Sequence, residues 1–140
     1  MDNRITQADE EFRLSFERCE IPNAAFRHRE HLRLARVYLR QSDPDTAEAR
    51  VGRGIRRYAE YCGAGRKYHE TLSCAWVRIV ALAMAETPDA AGFDDLLAAR
   101  PHLLDKKLPL KHYSPARLWN DAARERWVEP DLRPFPGDAR

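Results

Sequence analysis

At 140 residues the chain is long enough to bury one hydrophobic core and short for two, so a single domain over residues 1–140 is expected. Hydrophobic residues at 44% and charged residues at 33%, without any low-complexity tract, exclude a disordered chain. Lys and Arg number 24 against 22 Asp and Glu; the net charge of +2 argues against a dedicated nucleic-acid or membrane-surface protein and leaves room for a small acidic ligand.

The first twenty residues, MDNRITQADEEFRLSFERCE, are acidic and lack the basic and apolar regions of a signal peptide, which leads to an expected cytoplasmic location. Thr6 is placed to cap a first helix, with Asp9 three residues later and Phe12, Phe16 and Cys19 at helical spacing up to Pro22. A second helix is predicted from about His28 to Arg40, with Leu32, Ala35 and Leu39 on one face and a stop at QSDPD. The third carries the stripe Ala47, Val51, Ile55, Tyr58, Cys62 and ends at the glycines of GAG, residues 63–65. Within it, Gly52 and Gly54 each cost about 1 kcal/mol relative to alanine; they mark either a close approach by another group or a tolerated kink.

A fourth helix is predicted over Tyr68 to Glu86, along the row His69, Leu72, Trp76, Ile79, Ala83. Its apolar run from Cys74 to Ala85 is too short to span a bilayer and contains Arg78. A short fifth helix is expected to start at Thr87 or Pro88 and stop at Pro101, and a sixth to start at Ser114 and Pro115. The end of the chain, residues 128–140 with three prolines, reads as an extended tail over the domain. No alternating strand pattern is convincing, so the fold class is all-α: one small bundle of five to six helices. Its core should include Phe12, Phe16, Leu32, Leu39, Val51, Ile55, Leu72, Trp76, Ile79 and Leu118. Cys19, Cys62 and Cys74 form no CxxC pair and each lies beside apolar residues, which suits reduced core thiols.

Three of the five histidines carry the functional reading. His28 and His31 share a helical face with Ala35 and Tyr38 and so look inward, and His69 opens the apolar row of the fourth helix. A pair at i and i+3 joined by a third imidazole from another helix can hold a divalent metal (zinc, iron or copper) and leave a position open for water or substrate. The spacing lacks the glutamate and the i, i+4 histidines of the HExxH motif, so hydrogen bonding of each ring to a backbone carbonyl or to Glu30 or Glu70 competes with the metal reading. Around His69, the segment GRKYHETLS sets Arg66, Lys67, Tyr68, Glu70 and Thr71 where a loop enters a helix, a place for a carboxylate or phosphate. His69 is the candidate general base, with Tyr68, Glu70 and Tyr113 as candidates to donate a proton or orient an oxygen, each tyrosine competing with plain packing.

The stripe Arg50, Arg53, Arg57 on the third helix has no interleaved aromatic platform and reads as a solvated face; no nucleic-acid or membrane partner is expected. Without GxSxG, GxGxxG or Walker sequences, neither triad hydrolysis nor a nucleotide cofactor is expected.

The segments FRHREHLRLA, KYHETLS, LLDKKLPLKHYSPARL and WVEPDLRPFP, in that order, resemble a group of small bacterial proteins. The resemblance covers most of the chain and implies that His28, His31, His69, Glu70, Tyr113 and Ser114 lie in matched segments, without implying an activity, cofactor or substrate. The expected function is therefore argued from chemistry: a metal-dependent enzyme acting on a small, anionic molecule, with metal ligands His28, His31 and His69. The alternatives are a metal-free small-ligand or acid-base pocket and a non-catalytic interaction protein, and a homo-oligomer stays open.

Overall fold

The computed structural model describes residues 5–136, and within them the chain is all-helical, with no strand. Seven α-helices are formed among the described residues: α1 (Gln7–Glu17), α2 (His28–Gln41), α3 (Pro44–Tyr61), α4 (Glu70–Glu86), α5 (Phe93–Ala99), α6 (Pro115–Leu118) and α7 (Asp121–Glu125). Short 3-10 turns at Asn23–Ala25, Gly65–Lys67, Pro101–Leu104 and Leu108–Lys111 join them.

The first three helices start where their caps dictate. Thr6 Oγ1 accepts from the Asp9 N–H while the Asp9 carboxylate accepts from the Thr6 N–H, which pairs two otherwise orphaned donors of α1. Glu30 reaches back to the Arg27 N–H at the start of α2, so it acts as a cap there and is not bonded to a histidine. Asp43 caps α3 ahead of Pro44, and at the other end Gly63 takes φ 76°, the left-handed conformation that lets the Ala64 N–H bond back to Ala59 O.

α2, α3 and α4 pack on one another and α1 closes one side of the group. Of the expected core, Phe16, Leu32, Val51, Ile79 and Leu118 are buried, while Phe12, Leu39, Ile55, Leu72 and Trp76 pack against that core with part of their surface open. Gly54 is explained by the Phe16 ring: a Cβ there would stand 2.7 Å from Phe16 Cε2, so the absent side chain makes room for an aromatic contact between helices. Gly52 likewise faces Tyr68 Oη, 3.1 Å from where its Cβ would be. Arg50 of the basic stripe lies over the Tyr38 ring, while Arg53 and Arg57 are exposed.

Two expectations need correction. α5 starts at Phe93 behind Gly92, because Thr87 is spent ending α4, its hydroxyl bonded to Ala83 O, and Pro88 falls in a turn. The single helix expected after Ser114 is broken at Trp119 and Asn120. Asn120 does both jobs at the break: its side-chain NH2 donates to Ala116 O and Arg117 O, and its Oδ1 accepts from the Ala123 N–H to cap α7.

The chain after α7 runs extended across α4 and α6. Thr71 Oγ1 donates to Arg126 O and accepts from the Val128 N–H, Tyr113 Oη donates to Val128 O, and Ser114 binds Asp131 through both its N–H and its hydroxyl. Phe135 is buried, its ring stacked on His112 at 4.1 Å. Residues 137–140 of the expected tail lie outside the described residues. Among those described, no helix is long and apolar enough to cross a membrane.

Candidate functional site

A cavity of about 600 Å³ opens between the starts of α2 and α4, and His28, His31 and His69 all line it. This falls within the range of about 300–1,000 Å³ usual for small-molecule pockets. Its floor is apolar and buried, formed by Ala35, Val51 and Val77 together with the rings of Phe26 and Tyr58. Trp76 and Trp119 form walls, the first edge-on to His28 at 4.5 Å and the second edge-on to His69 at 5.6 Å.

The three imidazoles have different hydrogen-bonding states. His69 is the N-cap of α4: its Nδ1 accepts from the Leu72 N–H at 3.0 Å, and its Nε2 donates to Leu118 O at 2.8 Å. Those two bonds fix a neutral tautomer and use both ring nitrogens, so any metal at His69 has to displace one of them. The Leu118 carbonyl is free to accept because α6 ends there, which connects the break after Trp119 directly to the site. Burial holds the His69 pKa below its ordinary value, opposed by the Leu118 carbonyl and assisted by nearby Arg124.

His28 donates from Nε2 to Leu103 O at 2.8 Å, which ties the start of α2 to the turn after α5. Its pKa is lowered by burial first, with the Leu103 carbonyl raising it and Lys106 lowering it. His31 is different: neither ring nitrogen has a hydrogen-bond partner among the described residues, and its ring lies 4.3 Å from that of Phe26. Burial, helped by neighbouring His28 and resisted by Glu30, pushes its pKa down to about 4, so the ring is neutral near pH 7.

The remaining candidates divide. Tyr68 lines the cavity, but its hydroxyl donates to Glu70 Oε1 at 2.5 Å, and burial followed by that bond pushes its pKa up. Glu70 stands behind Tyr68, outside the lining, where its other oxygen faces Cys74 Sγ at 3.5 Å. Tyr113 also stands outside the lining, fully buried beneath the tail. Lys67 reaches the rim, while Arg66 does not, and Thr71 is committed to the tail. Among the described residues no group of three His, Cys, Asp or Glu side chains is arranged to hold a metal ion.

Of the cations that ring the mouth, Lys67 alone is among the expected site residues. Exposed Arg27, Lys106 and Lys107 join Lys67 there, and no Asp or Glu contributes to the lining, although Asp105 lies close enough to His28 to affect it. The usable signal was the DKK run at 105–107, an unpaired basic excess in a short loop. Comparison with protein-family models, with curated proteins and with solved structures finds no match for this chain.

Proposed function

We propose that this protein binds a small organic anion with an apolar body, and that it does so without a metal. The observation that carries the reading is the composition of the cavity: an apolar, aromatic-walled interior whose charged rim is entirely cationic, Arg27, Lys67, Lys106 and Lys107. An apolar body gains free energy by displacing water from that interior, and rim cations select a carboxylate or phosphate over a neutral head. Binding is favoured over turnover because His69, Tyr68, Glu70 and Tyr113, the residues suited to acid-base work, all spend hydrogen bonds inside the fold.

The test is calorimetric titration with 2-naphthoate and its neutral isostere 2-naphthamide. For about 13 non-hydrogen atoms at about 0.4 kcal/mol each, binding near −5 kcal/mol is expected, a Kd in the range of about 0.1–0.3 mM. The carboxylate should bind about tenfold more tightly than the amide, and Lys106→Ala/Lys107→Ala should remove most of that difference. Equal affinity for the two, or no binding of either, defeats the reading. Elemental analysis of untagged protein forms the second arm: near-stoichiometric zinc, iron or copper that disappears in His28→Ala/His31→Ala would establish a metal centre in its place.

A further inference from the structure

From the N-cap of α2 inward, the residues that enter the cavity run from the rim to the floor in three steps. Arg27 is exposed, His28 is half-buried and tied to Leu103 O, and Ala35 is buried in the floor. His31 lies between His28 and Ala35 in that row, one turn before Ala35, and it is the imidazole in the cavity without a hydrogen-bond partner among the described residues. The Phe26 ring lies 4.3 Å from it, Tyr58 and Val77 line the same cavity, and the Tyr58 hydroxyl is committed to Ile21 O. Its ring packs on an apolar wall, while its nitrogens are not sealed in the core and open on the cavity without a protein partner among the described residues.

We propose that His31 is the polar anchor of this cavity and that its occupant is a hydroxylated aromatic or alicyclic anion: the charged group at the lysine rim, and an uncharged hydroxyl on the apolar body bonded to the imidazole. This rests on the anion-binding reading above and adds the second polar group of the ligand. A neutral imidazole offers one acceptor nitrogen and one N–H, so it complements an O–H, whereas a second charged group entering the apolar interior has no compensating ion there. An unsubstituted apolar ring strips water from His31 and leaves its nitrogens unpaired, which is how a hydrogen-bonding site discriminates against the analogue lacking the hydroxyl.

Calorimetric titration of the full chain with 6-hydroxy-2-naphthoate and with 2-naphthoate tests this. The hydroxylated acid is expected to bind about tenfold more tightly to the unaltered protein. His31→Leu should equalise the two while keeping or improving affinity for 2-naphthoate, which shows at the same time that the cavity survives the substitution. His31→Gln, which retains a donor and an acceptor, should restore part of the preference. If both acids bind the unaltered protein equally, or the preference persists undiminished in His31→Leu, the anchor role is overturned while the anion-binding reading stands. If neither binds, both fall together.

Discussion

Replacing His31 by Gln removes one titrating group from the cavity, and the consequence for stability against pH follows from the position of that group. In the folded protein burial holds the imidazole neutral down to about pH 4, whereas in the unfolded chain it titrates near its ordinary value of 6.5. As pH falls through 6.5 the unfolded chain takes up a proton that the folded protein refuses, so folding stability declines and continues to decline until about pH 4, where both states are protonated. At about 1.4 kcal/mol per pH unit the full interval corresponds to roughly 3 kcal/mol, and water reaching the ring through the cavity mouth reduces the expectation to about 2 kcal/mol. Burial lowers His28 and His69 in the same direction, so the unaltered protein loses stability for their sake as well; both remain in His31→Gln, and the difference between the two proteins isolates His31. Urea unfolding at several pH values from about 7 to about 4 gives that difference, which should shrink or reverse in favour of the variant by about 2 kcal/mol on acidification. Parallel stability curves for the two proteins would refute the claim that the cavity keeps this imidazole neutral.

Gly54→Ala gains about 1 kcal/mol of helix propensity but drives a methyl to within 2.7 Å of Phe16, a ring also packed on Phe26 and Tyr58; a net loss of about 1–2 kcal/mol in chemical denaturation is expected, and a stabilised variant contradicts the packing argument. Tyr113→Phe leaves Val128 O without that hydroxyl beneath the tail and should cost about 1–2 kcal/mol, while calorimetry should find the affinity for 2-naphthoate unchanged within about twofold. A large loss of affinity would return Tyr113 to the site.

How far the fold can be read from the chain depends on where the deciding interaction lies. Thr6, Asp43 and Gly63 act within four residues of the backbone groups they satisfy, so the start of α1 and both ends of α3 are written in local sequence. The row His69, Leu72, Trp76, Ile79, Ala83 is long enough for its period to stand out; Ile79 and Ala83 are buried and Leu72 and Trp76 line the cavity, but Thr71, Cys74, Ala75, Val77 and Val80, off the row, are buried as well, because α4 is enclosed on more than one side. The stretch after Ser114 is different, since SPARLWNDAARER is compatible with one continuous amphipathic helix. What favours two short helices is Asn120 satisfying both ends of the break, together with a bond from His69, forty-nine positions earlier, to the carbonyl at the end of α6. The start of α5 differs from the expected one for a related reason: Thr87 and Pro88 suit the opening of one helix, but Thr87 is used to finish the one before.

The same distinction governs the site. Helical phase turns His28 and His31 toward the cavity, because the direction of a side chain follows from its place in the row, whereas His69 faces it from the extended N-cap position ahead of α4. Phase says nothing about which nitrogens stay available. His69 sits where Ser, Thr or Asp commonly caps a helix, and taking that position commits Nδ1 to the backbone and leaves Nε2 to the carbonyl of a distant turn. His28 spends Nε2 on Leu103, seventy-five residues away, which fastens in place the loop that carries Lys106 and Lys107 to the rim. Two of the three histidines thus build the cavity, one by starting α4 and one by docking the cationic loop. His31 sits one turn beyond His28 on the same face, and neither of its ring nitrogens has a hydrogen-bond partner among the described residues.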